Sequence, residues 1–351
     1  MSEIGNVAGS DILTRIAQRT LLRVQASKAV VSPIEMEELA RKAVAGKAGE
    51  FLFEKALSRE GLGLIAECKK ASPSKGVIDP VYRYLDIARD YERGGADCIS
   101  VLTEPDWFLG SDEHLRDIAS AVSVPCLRKD FVVDEYMIYE AATLGASAVL
   151  LICSLLDRES LARFISVSHS LGLSALVEVH DAGEVQMALD AGVRMIGVNN
   201  RNLRDFSVDL SNSLRLRELV PAGVIFVAES GISGAGDAAL LRKAGVDAVL
   251  VGEALMKNGN GNGNGNGDGP SLQIGGAARY QMIRMIKEGP SPFVKFCGLS
   301  RMEDIEAANR LRPDHVGFVF AKSAGGSRRV TEERAKELRE KLDDGIKVVG
   351  V

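Results

Sequence analysis

A closed (β/α)₈ barrel (the TIM barrel, an α/β fold) is the architecture that this 351-residue chain predicts, with a helical extension before it and a partial second βαβαβ barrel fragment behind it. Three observations carry that expectation. Eight short apolar runs recur along the chain, helix-periodic stretches separate them, and charged residues gather where the runs end. The runs are Leu62–Lys69, Cys98–Thr103, Val124–Lys129, Ala146–Cys153, Leu173–Val179, Met195–Asn199, Val224–Glu229 and Ala248–Gly252. Their near-continuous Val/Ile/Leu content is that of strands covered on both faces. Val81–Arg93, Asp134–Leu144, Arg158–Leu171, Ala182–Ala191 and Gly234–Ala244 carry helical spacing between them. Several close on a glycine that leads directly into the next strand, as in Gly95-Ala96, Gly145-Ala146, Gly192-Val193 and Gly245-Val246. A doubly wound open sheet is the alternative, but it seldom needs eight equally short strands in such regular alternation.

Residues 1–58 hold two helical patterns, Ser10–Ser27 and Met36–Ala56, placed to cover the barrel's mouth or floor. The low-complexity stretch Asn258–Gly269 repeats Asn-Gly and reads as a solvated insertion inside the last βα unit, ahead of an amphipathic helix at Ala277–Lys287. The barrel domain is therefore expected over 1–289. A second pattern follows over 293–351: strand Val294–Cys297, helix Arg301–Leu311, strand His315–Ala321, helix Thr331–Leu342 and strand Ile346–Val351. Such a βαβαβ unit leaves parallel edges unpaired and buries little core, and it is expected to be a truncated unit rather than a complete one.

Composition narrows the function classes. The chain is 46% hydrophobic and 26% charged with a formal net charge of −5, and it has no basic stripe interleaved with aromatics, which excludes a general nucleic-acid binder. No run reaches the ~18 apolar residues of a membrane span, and the N-terminus lacks a signal-peptide pattern. The five cysteines show no CxxC or ladder spacing, so the expectation is a cytoplasmic, reduced protein without disulfides or a metal site. The four histidines are scattered and are expected at solvated helix or loop positions.

The strand ends carry the chemistry. Glu67 and Lys69 sit two residues apart, so on a strand they share a face. Glu104, Trp107 and Phe108 follow the second strand, Lys129 ends the third, Glu178 lies near the end of the fifth, and Asn199, Asn200 and Arg201 end the sixth. Glu229-Ser230-Gly231 ends the seventh and Gly252 the eighth. Barrel enzymes place their active sites at these C-terminal ends. Ser-Gly after strand seven and Gly-Glu after strand eight leave backbone N–H groups open to an anion. A short helix from Glu253 would aim its positive end there, and Ser72 and Ser74 could add hydroxyls.

These stretches resemble the indole-3-glycerol-phosphate synthase family. The matching segments are Glu67-Cys68-Lys69-Lys70-Ala71-Ser72-Pro73-Ser74, Ser100–Glu104, Leu127-Arg128-Lys129-Asp130-Phe131, Leu176–Val179, Gly197–Leu203, Ala228–Ile232 and Val251–Met256. They keep the family's order across all strands but the fourth; Asn202, where an acid is common, and the Asn-Gly insertion depart from its pattern. The resemblance implies a carboxy-lyase of tryptophan biosynthesis that closes 1-(2-carboxyphenylamino)-1-deoxyribulose 5-phosphate to an indole, without a metal or organic cofactor. It also implies roles. Lys129 is the general acid on the ribulose carbonyl, Glu178 and Lys69 are base and acid in dehydration, and Glu67 positions the lysine pair. Asn199 and Arg201 contact substrate, Ser72, Ser230, Gly231, Gly252 and Glu253 gather the phosphate, and Phe108 and Phe131 pack on the anthranilate ring. Two lysines beside carboxylates are expected to split acid and base work through opposed pKa shifts.

The segment Lys295-Phe296-Cys297-Gly298-Leu299, with Gly317–Phe320 and Ser327-Arg328, resembles the opening of phosphoribosylanthranilate isomerase, an enzyme fused to the synthase in some organisms. That resemblance would make Cys297 a general base and Arg328 a substrate contact, both vestigial here, with isomerase activity absent. The alternatives are a fragment of a bifunctional synthase/isomerase, a non-catalytic scaffold for other tryptophan-pathway enzymes as partners, and a different phosphosugar barrel. The scaffold reading would expect Lys129 or Glu178 to be lost, and phosphosugar isomerases rely mainly on paired acids.

Overall fold

The computed structural model describes residues 12–46, 49–202, 207–259, 271–289, 295–320, 329–343 and 346–350. Eight strands close into a parallel barrel: β1 (Gly63–Cys68), β2 (Cys98–Leu102), β3 (Cys126–Lys129), β4 (Ala148–Ile152), β5 (Ser174–Val179), β6 (Met195–Asn199), β7 (Ile225–Glu229) and β8 (Ala248–Val251). Each pairs with its chain neighbours and β8 closes onto β1 in the register Gly63↔Ala248 to Ala66↔Val251. The strands lack the polar alternation of a half-exposed sheet because both of their faces are covered. Ile65, Cys98, Leu127, Leu150, Leu176, Met195, Val227 and Leu250 fill the barrel's interior. Leu64, Ala66, Ile99, Val101, Val149, Val177 and Val249 face the surrounding helices.

Of the three N-terminal helices, the first and third cover the two barrel ends. α1 (Ile12–Val30) crosses the C-terminal mouth, tied to loops there by Arg19–Asp106 at 3.1 Å, Arg23–Asp130 at 2.8 Å and Lys28–Asp134 at 2.6 Å. α2 (Pro33–Ala43) starts on Ser32, whose hydroxyl accepts from the Glu35 N–H, with proline in the first turn. α3 (Leu52–Leu57) buries Phe53, Ala56 and Leu57 against the barrel floor. The single helix expected over Met36–Ala56 is thus two. Gly46 and Gly49 take positive φ (+82° and +80°), which breaks the helical run and frees α3 to turn under the floor.

The outer helices are α4 (Tyr84–Gly94), α5 (Asp112–Ala121), α6 (Tyr136–Thr143), α7 (Arg158–Ser170), α8 (Ala182–Asp190), α9 (Ser211–Arg217), α10 (Ala235–Lys243), α11 (Glu253–Gly259) and α12 (Ser271–Glu288). α4 starts three residues later than its periodicity suggests, since Pro80 and the left-handed Tyr82 (φ +38°) keep the preceding turn non-helical. α12 completes the ring. Lys287 pairs with Asp97 at 2.8 Å, and Ile283 packs where any side chain on Gly94 would clash. The Asn-Gly run lies outside the described residues from 260 to 270.

Behind the barrel, β9 (Lys295–Cys297), α13 (Met302–Leu311), β10 (His315–Phe318), α14 (Glu332–Glu340) and β11 (Lys347–Gly350) form a three-stranded parallel sheet in the order β9-β10-β11. Its core is small: Leu299, Ile305, Ala308, Val316, Phe318, Val330, Ala335 and Leu338. No helix among the described residues is long and apolar enough to cross a membrane. All five cysteines are free thiols, four of them buried and Cys297 exposed.

Candidate active site

Glu67 near the end of β1 and Lys69 just past it both turn inward, and Lys69 Nζ meets Glu67 Oε2 in an ion pair. Gly252, after β8, makes room for it. A Cβ there would strike the Glu67 carboxylate and lie 3.1 Å from Lys69 Nζ. Across the barrel Lys129, the last residue of β3, lies 3.4 Å from Glu178 Oε2 and 3.6 Å from Glu229 Oε2. Glu178 Oε1 accepts a hydrogen bond from Asn199 Nδ2 at 3.1 Å, and Asn199 Oδ1 accepts from the Arg201 N–H. Glu229 folds over Gly197 of β6, where a side chain would collide with it. Its Oε1 is buried without a hydrogen-bond partner, a group left open for something that enters the site.

Burial works against the charge of Lys129, but Glu178, Glu229 and Glu67 outweigh it and push the ammonium pKa up. Burial would raise Glu178, yet Lys129, His180 and the Asn199 amide hold it below the ordinary carboxylate range. Glu229 goes the other way. Burial, helped by the nearby Glu178 and Glu67 charges, pushes it up to about 7 against the pull of Lys129. The opposed shifts therefore fall on the two carboxylates flanking one ammonium, an arrangement that separates a base from a proton donor at neutral pH.

These groups face a cavity of about 600 Å³. One side is apolar: Ile12, Leu13 and Ile16 of α1, with Phe108 and Phe131, whose rings lie 5.9 Å apart. Glu104 shapes the loop that carries Phe108, accepting from the Asp106, Trp107 and Phe108 N–H groups at 2.8–3.0 Å. The opposite side is polar and cationic, lined by Ser72, Ser74, Lys75, Arg201, Ser230, Gly231, Gly252, Glu253 and Lys257. Ser230 and Gly231 are both left-handed (φ +67° and +82°), a conformation that a serine holds only where its surroundings impose it. Glu253 takes Lys257 at 2.6 Å, Arg201 at 3.6 Å and Lys75 at 3.7 Å, so three cations border this end.

The family model described as indole-3-glycerol phosphate synthase matches residues 13–264. The chain belongs to that family. Residues across 71% of it are 54% identical to indole-3-glycerol phosphate synthase of Ruminiclostridium cellulolyticum, covering 95% of that protein. The Endomicrobium trichonymphae synthase is 49% identical over 71% of this chain and 95% of its own length. Indole-3-glycerol phosphate synthase 2 of Streptomyces coelicolor is 53% identical over 59% of this chain and 80% of its own.

All thirteen barrel residues singled out in the sequence face the synthase-family cavity: Glu67, Lys69, Ser72, Phe108, Lys129, Phe131, Glu178, Asn199, Arg201, Ser230, Gly231, Gly252 and Glu253. Two other strand-end residues do not. Glu104 closes its loop, and Asn200 is buried, donating to the Glu229 and Ser230 carbonyls and accepting from Ser213. Cys297 is exposed on β9, and Arg328 lies outside the described residues. Sequence reasoning gave no role to Glu229, although a carboxylate ending β7 repeats the signal that found Glu178. It also left out Lys75, Lys257 and the apolar wall from α1. The histidines are half-buried rather than solvated: His114 and His169 lie on helices and His180 on a loop, as expected, each against a neighbouring ring or carboxylate, whereas His315 opens the strand β10. His114 packs on Tyr84 with ring centroids 4.4 Å apart, His169 meets Phe51 edge-on at 5.5 Å, and His180 faces Glu178 and Glu184.

Proposed function

We propose that the barrel closes 1-(2-carboxyphenylamino)-1-deoxyribulose 5-phosphate to indole-3-glycerol phosphate, releasing CO₂ and water. One observation carries this reading: a single charged ammonium, Lys129, stands between a base and a proton donor, Glu178 and Glu229, at 3.4 and 3.6 Å. Ring closure makes the aromatic carbon bearing the carboxylate attack the ribulose carbonyl, and negative charge grows on the carbonyl oxygen. Lys129 gives that oxygen a proton. The carbon–carboxylate bond then breaks, and its electrons return to the ring as CO₂ departs. In the last step the former carbonyl oxygen leaves as water after protonation by Lys69, while Glu178 removes the proton whose loss completes the indole. Glu229 acts as a local proton reservoir for Lys129. Glu67 holds Lys69, and Asn199 with Arg201 orients the sugar. Ser72, Ser230, Gly231, Gly252 and Glu253 bring N–H and hydroxyl donors to the phosphate, and Phe108 and Phe131 pack on the anthranilate ring.

The same reading places the synthase unit at 1–289 and takes 293–351 as the opening βαβαβ of a phosphoribosylanthranilate isomerase, without isomerase turnover. Cys297, the thiol that this reading makes vestigial, is exposed on the edge strand β9. A reduced, cytoplasmic setting is supported by the five free thiols, with tryptophan-pathway enzymes as candidate partners. The deciding experiment incubates the chain with the carboxyphenylamino-deoxyribulose phosphate and follows indole fluorescence beside Lys129→Ala. The variant is expected to lose roughly 10³-fold or more in kcat; matching progress curves would remove Lys129 from its role.

A further inference from the structure

We propose that His180 is a positioning residue for the ring-closure reaction: its imidazolium holds the Glu178 carboxylate in place as a base and so sets the acid limb of activity. The inference deepens the synthase reading and rests on Glu178 serving as base. His180 does not line the cavity, so whatever it does passes through Glu178. It follows β5 two residues beyond Glu178, and its Nε2 lies 3.6 Å from Glu178 Oε1. That nitrogen is buried and has no hydrogen-bond partner.

The other side of the ring is anchored. Nδ1 lies 3.3 Å from Glu184 Oε2, the oxygen that also accepts from the His180 backbone N–H at 2.7 Å. Asn212 of α9 donates to the His180 carbonyl at 3.1 Å. A carboxylate at Nδ1 keeps the ring's first proton there. A neutral ring therefore points the Nε2 lone pair at a carboxylate oxygen, which is repulsive, whereas a second proton turns the same approach into a charge-assisted contact. The charged groups facing the ring are Glu178 from β5, Glu184 from α8 and Glu229 from β7. Asp181 is engaged in capping α8 through the Glu184 N–H, and the nearest cation in this network, Lys129, sits on the far oxygen of Glu178. Burial disfavours the imidazolium, and the carboxylates overcome it, raising the His180 pKa above its ordinary value. The imidazolium is in turn one of the charges that hold Glu178 down.

Replacing His180 by Asn or Gln removes one of two cations from Glu178. Its proton is then held more tightly, and the acid limb of kcat/KM moves up towards neutrality. At alkaline pH the native imidazole is itself neutral, so the variants and the native protein converge. The expected loss in kcat/KM grows as pH falls, approaching roughly tenfold below the limb for a displacement of about one pH unit, carried by kcat rather than KM, and stays under about twofold at pH 9. A loss of equal size at every pH, or no displacement of the limb, overturns the proposal. A second measurement needs no variant at position 180 to fold well. The chain has four histidines, so ¹⁵N-detected side-chain NMR resolves them, and His180 should titrate above 6.5 in the native protein and lower in Glu178→Gln. A His180 midpoint below 6.5, or one that Glu178→Gln leaves in place, overturns the contact whatever the kinetics. If the native protein forms no indole product, the synthase reading fails instead, and the titration still judges the His180–Glu178 contact separately.

Discussion

The chain holds two parallel β/α arrays built from the same kind of sequence, and among the described residues the barrel is the one that gathers its strand-end side chains around a shared cavity. In the barrel each strand has a neighbour on both sides, strand residues are almost all buried, and side chains at the C-terminal ends point into a shared enclosed mouth. In the C-terminal sheet only β10 is paired on both sides; β9 is mostly exposed, and so is β11. Both arrays place a chemically active side chain near a strand end, Lys129 in one and Cys297 in the other. The lysine is buried among carboxylates, and burial and charge together shift their proton affinities, whereas the thiol is exposed. Closure, more than the residue at the strand end, turns a charge into a catalyst, because electrostatic interactions gain their strength where solvent is excluded.

The largest expected effect tests that contrast on two arginines. Arg128 of β3 is fully buried and meets Asp112 at 2.8 Å, Glu140 at 2.7 Å and the Met137 carbonyl at 2.9 Å. Arg128→Met takes the cation from the fully buried Asp130, 3.9 Å away, and from Glu140, and should cost about 3–5 kcal/mol in urea unfolding. Arg312, after α13, pairs with Asp343 at 3.0 Å with both side chains well exposed, and Arg312→Met should cost less than about 1 kcal/mol. Equal costs would mean that the two arrays share one electrostatic environment.

The second test concerns protons. Folded Glu229 keeps its proton up to about 7, whereas the unfolded chain releases it near 4.5. The folded state therefore binds more protons between those values, and this residue's contribution to stability falls as pH rises through that window. Glu229→Gln removes the dependence. The variant should be more stable than the native protein by about 1–3 kcal/mol at pH 8, equal to it near pH 4, and slower in turnover. Unfolding midpoints that differ by the same amount at both pH values would contradict the assigned shift.

Much of this was legible in the sequence, for physical reasons that also mark where legibility stopped. Period-two alternation places Glu67 with Lys69, and charged residues interrupting apolar runs at strand ends mark Lys129 and Glu178 as facing the mouth rather than the covering helices. What spacing cannot give is distance across the barrel. Glu229 matters because it comes within 3.6 Å of Lys129, one hundred residues earlier. His180 repeats the i, i+2 relation that exposed Glu67 and Lys69, but its burial depends on Glu184 reaching back from α8. The N-terminal extension shows the same limit. Periodicity marks helices ahead of the barrel, but the ion pairs of Arg19, Arg23 and Lys28 and the apolar contacts of Ile12, Leu13 and Ile16 put α1 over the mouth, and the apolar face of α3 puts it under the floor.

A third test removes the open sheet. The contacts that cross to it include Arg284 Nη1 donating to the Arg312 carbonyl at 3.3 Å and the Arg312 guanidinium 5.6 Å from the Tyr280 ring. Contacts of this kind contribute about 1 kcal/mol each at most. Deleting residues 290–351 should therefore leave the synthase kcat within about twofold and barrel amide exchange unchanged. In the full chain, amides of β9 and β11 should exchange faster than those of β1–β8. Slow exchange at β9 or β11 would show that the sheet's edges are covered in solution, and the contrast drawn here would not hold.

A fourth test isolates burial from strand preference. Val249 of β8 is fully buried between barrel and helices, whereas Val348 of β11 is 36% exposed. Valine and threonine are both β-branched and nearly equal in volume, so Val→Thr leaves strand propensity almost unchanged and adds one hydroxyl. Inside the barrel that hydroxyl must leave water without a reserved partner, and Val249→Thr should cost about 1–3 kcal/mol. On the open sheet it stays hydrated, and Val348→Thr should move stability by less than about 0.5 kcal/mol. Since the two substitutions share every chemical term except the solvent around the new oxygen, their difference measures how dry a closed array is compared with an open one. A cost at Val348 that matches Val249 would place a second covered face on the C-terminal sheet, and Cys297 would then have to be reconsidered as a buried group.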